Sequence, residues 1–372
     1  MVPPSQSLIV DSNDPSAYPT INAALDTARS GDRILIRPGT YRQPIVIEKD
    51  VNLIGEGPLE EIRLLVSDHT PITILTDTCR IENITIQHSG KQESFAMEIS
   101  VGSSTIFGCD ISSEGLACIS IHGDASPTIL GVRVHGSPET GVMITGQSRA
   151  ILEGNMIFDN QFAGIEIRDD SNPTIKNNHI YGKNEVGILV HKYGLGTIVD
   201  NEIFSNRFSG IEVRSRANPQ ITNNHIHKNG RSGIFVHDFA TAIIDGNTIS
   251  QNGSSGIAIQ TNSNPDINNN TIDKNVQAGI VISNNGKGTL SRNAILGNGF
   301  SGVEISKGGN PNIQDNQISW NGGGIIAHQK AGGVVSNNDL RYNTNGAFYI
   351  SLDSSNEITR SGNIEWIEAS FN

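Results

Sequence analysis

The sequence predicts an all-β fold, a right-handed parallel β-helix wound from coils of about 23 residues each, and three observations carry that expectation. Asparagines recur at Asn155, Asn178, Asn201, Asn224, Asn247, Asn270, Asn293 and Asn316 in equal steps, with Asn338 arriving one position early. Glycines keep the same step at Gly141, Gly164, Gly187, Gly210, Gly233, Gly256, Gly279 and Gly302, then Gly324. Isoleucines run alongside in two columns, one from Ile157 to Ile318 and one from Ile165 to Ile280. Fixed self-similarity at this period marks a solenoid. Within each coil the apolar residues alternate with period two over short β-branched stretches bounded by Gly and Asn. No long helical stretch lies between them, which separates a β-helix from a leucine-rich repeat.

The elements follow in chain order. Around the segment from Pro19 to Ala28, Ile21, Ala24, Leu25 and Ala28 share one helical face, and Gly31 can end the helix. Strands are expected at Arg33 to Arg37, Ile45 to Ile47 and Val51 to Ile54. A helix here suits the fold, because an open β-helix end exposes apolar core and unpaired strand edges that need a plug. Residues 1–60 are thus read as an N-terminal helical cap with the first strands, and 61–345 as the repeats. Residues 346–372, with Asn363 and Trp366, are read as a degenerate last coil and C-terminal cap of one continuous domain. Weaker anchors at Val132, Cys109 and Asn83 carry the columns toward the N-terminus, giving about twelve coils and a length on the order of 50 to 55 Å at one strand spacing per coil.

Stacking of identical residues about 4.8 Å apart lets a buried Asn bond its amide to the Asn of the coils before and after, so the asparagine column reads as a structural ladder. The glycine column reads as a corner that needs a positive φ or close backbone approach. A second period, twice the first, lies over it. Pro127, Pro173, Pro219, Pro265 and Pro311 keep it, while intervening coils carry turns such as Gly194-Leu195-Gly196 and Gly286-Lys287-Gly288, so the unit is a pair of coils.

Composition agrees and excludes several roles. Forty glycines in 372 residues, with 5% aromatic and 17% charged residues, favour short strands and tight turns. No apolar run is long enough to span a bilayer, so no membrane span is expected. A net charge of −12 supplies no basic field for nucleic acid or anionic membranes. The opening Met-Val-Pro-Pro-Ser-Gln-Ser lacks the basic start and apolar core of a secretory signal. The chain as written therefore reads as cytoplasmic, or as secreted or periplasmic if such a signal has been removed. Three cysteines are an odd number, and Cys109 and Cys118 occupy the asparagine and glycine columns, which favours small buried residues over disulfide or metal roles.

With these residues in view, the chain resembles the CASH group of right-handed β-helix repeat proteins, named for carbohydrate-binding proteins and sugar hydrolases. The segments from Ser171 to Ile180 and from Phe208 to Val213 are similar to the β-helix of F-box-only ubiquitin-ligase subunits, over roughly residues 80 to 345. The opening from Pro19-Thr20-Ile21 through Pro38-Gly39-Thr40-Tyr41 to Gly55-Glu56-Gly57 resembles the start of pectinesterases and other pectin-lyase-fold proteins. The resemblance implies the fold and a carbohydrate-related role. No F-box or zinc-finger pattern flanks the repeats in this sequence, so ligase-subunit function is not implied. Pectinesterase, polygalacturonase and alginate-epimerase active-site motifs are absent, and no family catalytic residue transfers.

In Gly-Ile-x-Ile-x the isoleucines point inward, so the x positions form an outward face. One column reads Glu166, Leu189, Glu212, Phe235, Ala258, Val281, Glu304 and Ile326. The next reads Arg168, His191, Arg214, His237, Gln260, Ser283, Ser306 and His328. Glu166, Arg168, His191, Glu212, Arg214, Phe235 and His237 form the richest constellation in the chain and are the candidate ligand-binding residues. Glu166 and Glu212 lie two coils apart, about 9.6 Å, at the outer edge of the spacing of an inverting glycosidase pair. Arg and His are also what a lyase or epimerase needs to neutralise a uronate and remove its α-proton. Against both stands a solvated face whose opposite charges pair with their neighbours.

The leading expectation is a carbohydrate-binding scaffold presenting this face to an extended ligand, polysaccharide before protein segment. The alternatives are a lyase, epimerase or glycosidase acting on acidic polysaccharide, and a protein-recognition module. No cofactor or metal is expected. A Ca²⁺ site at Asp169 and Asp170 competes with a turn role for the same pair. Phe162, Phe208 and Phe300, placed two positions before the column glycine, are expected to pack at corners, with sugar stacking as the alternative.

Overall fold

The computed structural model of the chain describes residues 5–90 and 94–365. It divides into two units, Met1–Asn184 and Glu185–Asn372. Within the regular repeat of each unit, every coil contributes one short strand to each of three parallel sheets. In the first unit one coil runs from Ala163–Ile167 (sheet C) through Thr174–Lys176 (sheet A) to His179–Tyr181 (sheet B). In the second unit a coil runs likewise through Ile211–Val213, Gln220–Thr222 and His225–His227. Pairing joins like residue to like residue one coil on, as with Ile221 and Ile244, or Ile234 and Ile257.

The isoleucine columns are the core. Ile157, Ile165 and Ile180 in the first unit, and Ile203, Ile226, Ile249, Ile272, Ile295 and Ile318 in the second, are fully buried. β-Branched side chains suit this site because their restricted χ1 costs little on a pleated surface and each stacks on its counterpart.

Asparagine ladders bound the core. In the second unit Asn224 Oδ1 accepts from both the backbone N–H and the Nδ2 of Asn201, at 3.0 and 2.9 Å. Asn224 Nδ2 in turn donates to Asn247 Oδ1 at 3.0 Å and to the Ile198 carbonyl at 2.8 Å. The same pattern continues through Asn270, Asn293, Asn316 and Asn338 to Asn363. In the first unit Asn155 and Asn178 repeat it at 2.9 Å. A second ladder, beyond the one that the sequence predicts, runs through Asn206, Asn229, Asn252, Asn275, Asn298, Asn321 and Asn343.

The residue before each first-ladder Asn turns left-handed, as at Asn177, Asp200 and Asn223, which Asn, Asp and Gly tolerate best. The column glycines do not. Their φ is ordinary, and at Gly210 a Cβ would stand 2.6 Å from Ile226 Cγ2 and 2.8 Å from the Gly233 carbonyl. Close approach, not a positive φ, therefore demands glycine there.

The N-terminal region departs from the repeat. Helix α1 (Ile21–Thr27) buries Ile21, Ala24 and Leu25 against the strands Ser7–Val10, Arg33–Ile36 and Ile45–Ile47. Thr20 caps it by accepting from the Ala23 N–H at 3.1 Å. It ends at Ala28 rather than at Gly31, and Lys49 Nζ supplies donors to the carbonyls of Leu25 and Ala28, both at 3.0 Å.

Among the described residues about 15 turns are wound, rather than the twelve that the columns predict. The early coils escape the columns because their lengths vary. Ser7 pairs with Arg33, Arg33 with Asn52, Asn52 with Arg80 and Arg80 with Thr105, so the sequence step swings to either side of the later, constant one.

At the other end, Phe348–Ile350 still pairs with Gly323–Ala327, and Ile358–Ser361 with Gly333–Ser336. Trp366 lies outside the described residues. Cys79, Cys109 and Cys118 are free and buried. Burial pushes the thiols of Cys109 and Cys118 up to about 12, leaving them small, neutral core residues.

Candidate functional site

Sheet C carries the expected columns, with inward isoleucines and outward x positions. Each unit has its own part of them. In the first, Glu166 is only 9% exposed, accepts from Thr140 Oγ1 at 3.4 Å, and faces Arg168 Nε at 3.6 Å. Arg168 Nε also stands 3.6 Å from Asp169 Oδ2, and its Nη2 lies 3.4 Å from Met143 Sδ. Asp169 and Asp170 both adopt left-handed backbone, at φ 55° and 63°, as a tight turn requires.

In the second unit Glu212, Arg214, Phe235 and His237 come together. Glu212 Oε1 lies 3.2 Å from His237 Nε2 and 3.5 Å from Arg214 Nε. The Phe235 and His237 rings stack with centroids 4.2 Å apart. In register, Glu212 is followed by Phe235, Ala258, Val281 and Glu304, so two carboxylates bracket a three-coil apolar strip. The Glu–His pairing recurs at the far side of that strip, where His328 Nε2 meets Glu304 Oε1 at 3.1 Å. In the first unit it recurs between His122 and Glu98 at 3.0 Å. The carboxylate of one coil thus meets the imidazole of the next coil two positions along the strand. That spacing is present in the columns, yet column reading alone does not single it out.

This face is not the open, solvated sheet that alternation alone suggests. Leu189 is 1% and His191 7% exposed, so His191 is largely closed from solvent. Farther along the sheet a wall stands over the outward face. Phe208, Arg231, Ser254 and Gln277, from the turns that precede four successive sheet C strands, line the groove beside the strip. Together with Glu212, Phe235, Ala258, Gln260 and Val281 they enclose a groove of about 270 Å³. Arg231 lies over the Phe208 ring, 4.3 Å from its centroid, and Ser254 Oγ donates to Gln277 Oε1 at 2.9 Å. Phe208 is therefore a groove wall and Phe300 is 51% exposed, so neither is the packed corner that its spacing predicts.

Two polar atoms in this setting lack what burial ordinarily demands. Arg168 Nε in the first unit and Arg214 Nε in the second are buried and make no hydrogen bond. Their carboxylate neighbours, at 3.6 and 3.5 Å, supply charge but not bonding geometry.

Comparison with known proteins agrees with this architecture. The sequence model of the right-handed β-helix region matches residues 72–207, 183–298 and 255–365. Among solved structures, the A-module of the mannuronan C-5 epimerase AlgE6 of Azotobacter vinelandii is similar at 16% identity, with 92% of each chain covered and a TM-score of 0.60. The catalytic unit of the thermostable GH87 α-1,3-glucanase of Streptomyces thermodiastaticus strain HF3-3 is similar at 17% identity, with 98% of this chain and 70% of that one covered, and a TM-score of 0.57. An aspartate-to-alanine mutant of the periplasmic alginate epimerase AlgG is similar at 16% identity over 90% of this chain and 77% of that one, with a TM-score of 0.52. At such identities the likeness shows the fold alone. Among the described residues, no helix is long and apolar enough to cross a membrane.

Proposed function

The chain belongs to the right-handed β-helix family, and from that premise we propose that the groove on sheet C of the second unit binds an extended polysaccharide. The observation that carries the proposal is the lining. An apolar strip of Phe235, Ala258 and Val281 is edged by Glu212, Gln260 and Arg231, and Glu212 in turn holds Arg214 and His237 beside it. Sugar rings present apolar C–H faces and hydroxyl rims, which such a lining meets by stacking on Phe235 and by charge-assisted hydrogen bonds. Arg231 and Arg214 favour an acidic sugar locally, although the chain carries −12 overall.

The similarity to epimerases and a glucanase supports a polysaccharide partner over a protein segment. Such a partner also fits a secreted or periplasmic form of the chain. A CASH-type assignment, a plugging role for α1 and a single continuous domain belong to the same reading, the last supported by residue columns that pass through residues 184 and 185 unbroken.

A second reading, catalysis, rests on the 3.2 Å contact of His237 with Glu212. An imidazole hydrogen-bonded to a carboxylate, beside a guanidinium, is an arrangement for removing an α-proton from a uronate whose charge the guanidinium neutralises.

Calorimetric titration with alginate, pectate and neutral glucans tests the first reading. Binding is expected to weaken at least about tenfold, or about 1.4 kcal/mol, in Phe235→Ala and Arg214→Gln. A flat titration with every polymer, or affinity indifferent to both substitutions, removes the groove from consideration. Unsaturated-product absorbance and reducing-end release on the same polymers test the second. Turnover that survives His237→Ala places the chemistry elsewhere.

A further inference from the structure

Sheet B of the second unit carries a different cluster. The strand His225–His227 pairs with Glu202–Phe204, Glu202 opposite His225 and Phe204 opposite His227. Ile226 is fully buried between the two histidines. Alternate residues of a strand share a face, so both imidazoles are sent outward, on the side that Glu202 also occupies.

Three donor atoms converge as a result. His227 Nε2 lies 3.2 Å and His225 Nδ1 4.0 Å from Glu202 Oε1, and one ligand atom from each residue falls within 4.8 Å of the others. A tetrahedral ion with bonds of about 2.0–2.2 Å holds its donors roughly 3.3–3.6 Å apart. One spacing is already close to that, and the others, which involve the half-exposed His225, lie within 4.8 Å. The imidazoles stack with centroids 4.1 Å apart, and Phe204 stacks on His227 at 5.2 Å, which limits their rotamers. The next coil sets only hydroxyl groups beside the pair, Thr248 opposite His225 and Ser250 opposite His227.

We propose that Glu202, His225 and His227 form a binding site for a borderline transition-metal dication such as zinc or cobalt. Two imidazoles and one carboxylate suit these ions, whereas calcium and magnesium take oxygen ligands. Three protein donors leave a fourth coordination position for water or an added ligand. The site stands on sheet B, apart from the sheet C groove, and does not depend on what that groove binds.

The test is titration of untagged protein with Co²⁺, followed by displacement with Zn²⁺. One Co²⁺ per chain is expected, with the visible band of a four- or five-coordinate ion. His225→Gln, His227→Gln and Glu202→Gln should each weaken binding at least tenfold, and His122→Gln, on sheet C of the other unit, should not. Circular dichroism confirms that each variant is folded. Should the buried His227→Gln fail to fold, the exposed His225→Gln decides alone. Absence of saturable binding below millimolar metal, or a Co²⁺ spectrum and stoichiometry unchanged in His225→Gln, overturns the proposal.

Discussion

At the scale of single residues, buried amides carry more of the stability than exposed charges do. Replacing Asn224 by the isosteric Leu leaves the Asn201 N–H without its acceptor and the Ile198 carbonyl without its side-chain donor. Each orphaned group costs about 1–3 kcal/mol, so urea denaturation should show a loss well above that of Glu212→Ala, which breaks partly exposed pairs worth about 1 kcal/mol or less. Equal losses would mean that the ladder bears no stability. His88 gives the expected pH dependence. It is 3% exposed, its ring nitrogens meet Ser113 and Ser94 hydroxyls at 3.1 and 2.9 Å, and burial holds its pKa below the usual imidazole range. The folded state therefore prefers neutral His88, and the unfolded chain binds the extra proton. Stability from this group is present above about pH 6.5 and lost as pH falls through that value toward the depressed folded pKa. His88→Gln should flatten that part of the urea midpoint against pH profile, and an unchanged slope would assign it to other groups.

At the scale of the element, strands are short over most of the repeat, and the corner decides whether each one seats. Gly210→Ala presses a methyl group to 2.6 Å from Ile226 Cγ2 and 2.8 Å from the Gly233 carbonyl, which needs backbone movement. A loss of about 1–3 kcal/mol is expected in urea. Gly297→Ala, with no atom within 4 Å of the added methyl, meets only the cost of its φ of 61°. If Gly210→Ala proves the milder, close approach is not what the column serves. Elements are legible in the sequence to the degree that they repeat. The isoleucine and asparagine columns and α1 can be read directly, and the second ladder through Asn206 and Asn229 is written in the same constant step. The burial of Leu189 and His191 is not legible, nor is the groove wall, which is built by turn residues whose outward reach no periodicity records. Glu202 and His225 do stand one column step apart, directly after Asn201 and Asn224, but the step alone does not show that His227 Nε2 reaches the same carboxylate oxygen.

At the scale of the whole molecule, regular coil length and candidate chemistry coincide. Unequal steps before Thr105 make that stretch individual, while the later coils that hold the groove and the histidine cluster keep one constant pairing step. A consequence follows from the ladders. Every rung points the same way, with Oδ1 receiving from the preceding coil and Nδ2 giving to the next, so no rung can distinguish its own neighbour from another. Nothing in the ladder measures length. Excising residues 256–301, two coils, would bring Gly302 into the place of Gly256 and Asn316 into that of Asn270, with turns of the same kind meeting across the splice. Such a shortened chain is expected to refold with the same circular dichroism shape. Excision of residues 256–295 instead, out of phase with both columns, should not fold. The register thus works like a thread pitch: the gene can lengthen or shorten the molecule by whole turns, and each such edit moves the spacing between Glu212 and Glu304 without touching the packing of any coil that remains.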